Sequence, residues 1–377
     1  MRIAFFVQYC HEAGTYFRWQ NLAKALVQLG NKVDVYAGDF NYRAKKRIEQ
    51  REGVRYFITP SLITCRIFGN PSDPFTALCR SLQKTDGEYD VYHLFQPFLQ
   101  AYLPWQIKKY FKKGVFMYDW DDLWTDGLFK TPNSLREHYT FWVVAILEKK
   151  IPQIASSTTV CSSFLANRLN QKTKSILIYN GFSPINEDFL NASEKFNFFK
   201  EDIFYVGFIG KTADELHWII EAALIAETEL PLIKFVVVGP PKNQLESLGA
   251  LNFKNIIYLG EVSQVESKYI AQKLSLGLLP LGDTNFNRSR FPIKFFDYLS
   301  AQTPVFYSEI GELKFIGKGL HFAYPGGVTK DNWVEGLLIL LKNISDKMKQ
   351  EVNIEQLAEN YSWKSIANQL LEAYDIS

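Results

Sequence analysis

The chain has 377 residues, 47% of them apolar and 22% charged, with a formal net charge of +2. That is an ordinary globular composition, long enough for two domains with sizeable cores and too balanced in charge for a nucleic-acid binder. No apolar run approaches the roughly 20 residues of a membrane span. Cys10, Cys65, Cys79 and Cys161 have no metal spacing and no dense pattern, so they read as reduced thiols of a cytoplasmic protein.

In chain order, Arg2 to Gln8 is a continuous apolar strand, and Met1-Arg2 runs straight into it, so no signal peptide is expected. A polar loop with one glycine, Gly14, leads to a helix ending near Leu29, capped by Gly30. Lys32 to Ala37 then gives a second strand and a βαβ opening, hence a parallel sheet. A lone glycine is not the GxGxxG dinucleotide fingerprint. Val54 to Ile58, Asp90 to Phe95, Val115 to Asp119, Thr158 to Cys161 and Lys174 to Tyr179 follow as strands. The run Trp105 to Lys113 is basic and aromatic; it reads as a solvated helix face or as a contact with anionic lipid through Lys108, Lys109, Lys112, Lys113, Trp105 and Phe111. Asp119, Asp121 and Asp122 cluster at a strand's C-terminal end, where α/β sheets place their sites. With no histidine or further acid nearby in sequence, no metal site is expected there. Helix capping or binding of acceptor hydroxyls are the two readings, with Asp122 the catalytic candidate.

After an irregular stretch, 183–202, a second α/β series begins with Ile203 to Ile209 and the turn Gly210-Lys211-Thr212. Further strands are Ile233 to Val238, ending in Gly239, and Asn255 to Leu259, ending in Gly260-Glu261-Val262. The stretch Asn287 to Glu312 organises this half. Pro292 suits a helix start, Ile293, Phe296, Leu299 and Ser300 make a buried face, and Thr303-Pro304 ends the helix before a Val305-Phe306-Tyr307 strand. Arg290 and Lys294 add cations to a helix N-terminus, which suits a diphosphate. Asp297, three residues past Lys294, lies on the same side and can accept bonds from ribose hydroxyls.

The Pro292-x-Lys294-x-x-Asp297-Tyr298 helix and its Pro304-Val305 strand resemble the nucleotide-sugar site of glycosyltransferases of the GT-B fold, in particular the retaining family 4, or group 1, enzymes. The strand end DVYHLF around His93, the Asn180-Gly181-Phe182 crossover and the closing YSWKSIANQLLEAY helix match family features in the same order. The sequence departs from the pattern at Ser289, where the family carries a glutamate, and at Phe95, where it carries a second histidine. The resemblance implies two Rossmann-like doubly wound domains facing a cleft: 1–182 for the acceptor, 183–360 for the nucleotide-sugar, and a final helix, 361–377, returning to the first domain. It implies nucleotide-sugar contacts from Gly14, Thr15, Gly210, Lys211, Gly239, Gly260, Glu261, Val262, Arg290, Pro292, Ile293, Lys294 and Asp297. Lys211 and Arg290 would stabilise the leaving diphosphate, and His93, Asp119 and Asp121 would bind the acceptor or support the site. The implied reaction is retaining, metal-independent hexosyl transfer from UDP-glucose or a related UDP-sugar to a saccharide or lipid-linked acceptor, with no cofactor. Bacterial polysaccharide synthesis on the inner face of the plasma membrane is its usual setting. A UDP-sugar epimerase of the same architecture and a non-catalytic carbohydrate-binding protein remain as alternatives.

Overall fold

Short apolar runs alternating with amphipathic helices can bury both faces of a sheet only if the strands are parallel and the helices cover them. The computed structural model shows this arrangement twice, and it describes residues 1–10, 15–42, 45–129, 131–183, 195–210, 214–343, 352 and 354–377. The chain divides into two units, Met1–Gly181 with Trp363–Ser377, and Phe182–Ser362.

The first unit is built on strands β1 (Arg2–Tyr9), β2 (Lys32–Asp39), β3 (Arg47–Arg51), β4 (Val54–Pro60), β5 (Val91–Phe95), β6 (Val115–Trp120), β7 (Ser157–Val160) and β8 (Ser175–Leu177). Their order across the sheet is β3-β4-β2-β1-β5-β6-β7-β8. All neighbours are parallel except the edge strand β3, antiparallel on β4. The edge strand RIEQR has no buried residue, which is why apolar patterning misses it. Helix α1 (Tyr16–Gln28) covers one face. Gly30 closes it with φ +85°, a left-handed conformation that costs glycine little. Helices α2 (Leu99–Phe111) and α3 (Leu135–Ile154) follow later in the unit.

The second unit holds β9 (Phe204–Ile209), β10 (Ile233–Val238), β11 (Ile256–Gly260), β12 (Leu276–Leu279), β13 (Val305–Ser308) and β14 (Ala323–Gly326). They form one parallel sheet in the order β11-β10-β9-β12-β13-β14. Its helices include α4 (Leu216–Glu229), α5 (Asn285–Ser289), α6 (Ile293–Ser300) and α7 (Lys330–Lys342). The last helix, α8 (Trp363–Asp375), belongs to the first unit. Its Ile366, Ala367, Leu370, Ala373 and Tyr374 share one core with Trp19, Leu22, Ala23 and Leu26 of α1. The spacing of three and four read in the sequence is the spacing of that buried stripe.

Two expectations are corrected here. Trp105 is not available to lipid: it is fully buried in α2 and its indole donates to the Tyr92 carbonyl at 3.0 Å. Lys108 and Lys109 donate to the carbonyls of Gln83 (2.9 Å) and Ile154 (2.6 Å), because their stems lie along the sheet-covering face and their heads satisfy chain ends there. On the helix of the second unit, Ile293 is only half-buried, whereas Phe295, Phe296, Tyr298, Leu299 and Ser300 are buried.

Candidate functional site

In the second unit, β9, β10 and β11 are neighbours, so their C-terminal turns lie side by side. Gly210 donates to the Val238 carbonyl at 3.0 Å, and Gly239 donates to the Gly260 carbonyl at 2.8 Å. Gly239 and Gly260 both have positive φ, +103° and +67°, the left-handed region that favours glycine. Glu261 is exposed and Val262 half-buried just beyond. Gly14 and Lys211 lie outside the described residues.

Helix α6 is fixed beside this edge by Tyr298. Its buried hydroxyl accepts from the Ile209 amide at 2.9 Å and lies 3.2 Å from the Gly207 carbonyl. Gly277 on β12 makes room for it, since a Cβ there would meet the Tyr298 ring at 2.4 Å. Pro292 is the cap residue of α6, so the first amides of the helix lack partners within it. The Arg290 guanidinium lies over the Phe286 ring, 4.6 Å from its centroid. Lys294 and Asp297 form an ion pair at 2.8 Å on a half-exposed face. Asp297 is therefore engaged with Lys294, and a ribose would have to share it.

Ser289, at the position of the family's first glutamate, is fully buried and donates to the Phe286 carbonyl at 2.8 Å. Two buried carboxylates nearby were not foreseen. Glu215 accepts from the Gly282 amide (2.6 Å) and the Asn287 side chain (3.1 Å), tying the start of α4 to the loop before α5. Glu312 is 2% exposed, and the Gly311 beside it has its Cβ position 2.9 Å from the Arg288 carbonyl. The available sequence signal was an acid next to each helix start.

In the first unit, the C-terminal end of β6 carries the three aspartates, and the structure separates their roles. Alternation along the strand turns Asp119 toward α1. There Arg18 grips it with two bonds of 2.8 and 2.9 Å, and Thr159 adds a third at 2.5 Å. The same guanidinium donates to the carbonyls of Ile178 and Tyr179 and to the Asn180 side chain. Burial pushes the Asp119 carboxyl up, but the Arg18 charge and bonds outweigh it and hold it below the usual carboxylate range. Asp119 thus cannot bind an acceptor; it is a buried counter-ion. Arg18 went unremarked in the sequence because an arginine on an amphipathic helix reads as solvated.

Asp121 is buried too, and burial together with the charges of Asp122 and Asp119 pushes its carboxyl well above the usual range. Its surroundings favour the neutral form of the carboxyl over the charged one. Asp122 is half-buried beside it. Gln96, at the end of the adjacent β5, has φ +74°, a strained conformation of the kind found at functional edges.

His93 is fully buried on β5, with its Nδ1 2.8 Å from the Tyr374 hydroxyl of α8. An acceptor contact is excluded. Burial pushes its pKa down to about 4, against the pull of Asp119. A histidine near 6.5 when unfolded takes up its proton in the unfolded chain first. Stability is therefore full above that value and falls as the pH drops toward the folded value, by about 3 kcal/mol in all. Denaturant titrations across this window should show that slope, and His93→Gln should flatten it.

Residues 200–353 match the family model described as glycosyl transferases group 1. The TuaH protein of Bacillus subtilis (strain 168), named as a teichuronic acid biosynthesis glycosyltransferase, is 24% identical over 270 residues, covering 68% of this chain. The chain spans 66% of that relative's length. Among solved structures, the sucrose-phosphate synthase of Thermosynechococcus elongatus has a TM-score of 0.72 at 15% identity, over 100% of this chain and 98% of that one. HepE of Anabaena, determined with UDP and glucose, has a TM-score of 0.66 at 14% identity, over 100% and 99% of the two chains.

Proposed function

We propose that this chain, which has the GT-B fold and carries a group 1 glycosyl transferase domain over residues 200–353, transfers a hexose from a UDP-sugar to a saccharide or lipid-linked acceptor. The observation that carries this reading is the set at one edge of the second unit. There the turns of Gly210, Gly239 and Gly260 lie together, and Tyr298 anchors α6 beside them. The start of that helix carries Arg290 and Lys294. A diphosphate leaving group needs cations and aligned N–H groups to take up its growing charge. Arg290, Lys294, the first amides of α6 and Lys211 are of the right kind to supply them, so no metal is needed. UDP-glucose is the first donor to test, in line with the UDP and glucose of the HepE complex. Retention of configuration and a role in bacterial polysaccharide synthesis complete the reading.

UDP should bind with equal affinity in the presence and absence of EDTA, measured calorimetrically. Loss of binding in EDTA would overturn the assignment of charge stabilisation to side chains. NMR of a UDP-glucose incubation without acceptor separates the rival epimerase, which would convert the donor alone. Saccharide binding with no UDP affinity would mark a non-catalytic protein.

No helix among the described residues is long and apolar enough to cross a membrane. Peripheral contact from α2 falls to its exposed end, Tyr110 and Phe111, with the half-buried Lys112 and the exposed Lys113 just beyond. Sedimentation with anionic vesicles should then be salt-sensitive; equal binding to neutral vesicles would rule this surface out.

A further inference from the structure

The C-terminal ends of β1 and β2 carry a feature that the donor site does not use. Tyr9 ends β1 almost fully buried, and Phe40, just past β2, stacks on its ring at 3.8 Å between centroids with 43% of its own surface exposed. Tyr42 stands exposed two residues on, with the Arg66 guanidinium 5.1 Å above its ring. Lys45 and Lys46 are exposed alongside and make no ion pair among the described residues. The acids close by are already engaged: Asp39 with Arg47, and Glu49 with Arg47 and Arg51. Beneath the edge lies Arg80, 3% exposed, bonded to the carbonyls of Val7, Gln8 and Tyr36. Burial lowers its pKa to about 10, so it is still a cation at neutral pH, and it makes no ion pair with a carboxylate among the described residues. The cations named here outnumber the acids, although the whole chain is near neutral.

We propose that Phe40 and Tyr42, with the Lys45, Lys46 and Arg66 rim, form an acceptor subsite for a saccharide carrying an anionic group, a carboxylate or a phosphate. The aromatic faces would take the apolar face of a sugar ring, and the cations its charge. The strands order β2-β1-β5-β6, so this platform and the Asp121–Asp122 end of β6 share one edge of one sheet. Neighbouring strands are about 4.8 Å apart, which puts β2, whose end carries Phe40, roughly 14 Å from β6. An elongated acceptor can therefore lie along the edge, held at the platform and reaching toward the aspartates.

This inference rests on the transferase reading, and the experiment keeps the two apart. The full chain is titrated at low ionic strength with a glucuronate disaccharide, glucose 6-phosphate and maltose, and separately with UDP. The anionic sugars should bind roughly tenfold tighter than maltose, and added salt should erase the difference. Preference for one anionic probe over the other identifies the group. Lys45→Gln with Lys46→Gln should remove the preference without changing maltose binding, and Phe40→Ala should weaken all three sugars. All variants should keep wild-type UDP affinity and thermal stability. Equal binding of maltose and the anionic sugars, or a preference that survives the lysine substitutions, overturns the subsite. Loss of UDP binding in the wild type alone would instead sink the donor assignment and leave the subsite standing.

Discussion

Arg18→Ala is expected to cost the protein about 3–5 kcal/mol of stability, because it leaves the Asp119 carboxylate buried without its counter-ion. Both side chains are nearly inaccessible, 2% and 1% exposed. Three backbone or side-chain acceptors at residues 178 to 180 lose their donor as well. The pH dependence should change sign. In the wild type the Asp119 carboxyl lies below its unfolded value, so its contribution is present above that value and is lost as the pH falls. Without Arg18, burial dominates and raises the carboxyl above its unfolded value. Stability then falls as the pH rises. Denaturant titrations from acid to neutral pH measure both slopes. The double variant Arg18→Met with Asp119→Leu should recover much of the loss, since replacing a buried pair by apolar groups is often neutral. A single variant as stable as the wild type, with an unchanged pH slope, would show that the pair is not a buried charge couple.

The same region shows how far the sequence could be read. The strand and the acids at its end were legible, because apolar runs ending in polar turns are a local signal. Their roles were not. Asp119, Asp121 and Asp122 look alike in a string, and only the partner from α1, 101 residues away, makes the first a fixed counter-ion. Burial without such a partner, beside two further carboxyls, pushes the second well above the usual carboxylate range. The helix at Trp105 failed in a related way. Its lysines were read as solvated or lipid-facing, and two of them donate to part-buried carbonyls at chain ends instead. In α8 the pattern sufficed, since Trp363, Ile366, Ala367, Leu370 and Tyr374 are all buried. The Arg290-to-Asp297 stretch lies between these cases. Its helix, cap and following strand were legible, whereas a spacing of three puts Lys294 and Asp297 on one side without deciding whether they pair, as they do here at 2.8 Å.

Arg290→Ala is expected to lower turnover of the donor by about 10²- to 10³-fold, the cost of removing one preorganised stabiliser of developing negative charge. UDP release from UDP-glucose reports it. The guanidinium is held over the Phe286 ring at the entrance to α6, so it is positioned before any ligand arrives. Its interaction strengthens as the sugar leaves, and the effect should fall on kcat more than on UDP affinity. Asp297→Ala should behave differently. Hydrogen bonds to a ribose are the same in the ground and transition states, so KM should rise with kcat nearly unchanged. A charge-assisted bond of roughly 1.5–3 kcal/mol corresponds to about one to two decades of UDP affinity. The observed pair with Lys294 supplies the internal control. If Asp297 serves only that exposed pair, its removal costs at most about 1 kcal/mol of stability and frees Lys294 for the phosphates. UDP would then bind as well as before or better. Calorimetry on folded Asp297→Ala thus gives opposite signs for the two roles, and an unchanged or lower Kd removes the ribose from Asp297. Asp297→Asn keeps an acceptor in place and should lose less affinity than the alanine variant. A kcat for Arg290→Ala within a few-fold of wild type would remove that side chain from the leaving-group site and leave Lys294 and the helix start to hold the diphosphate.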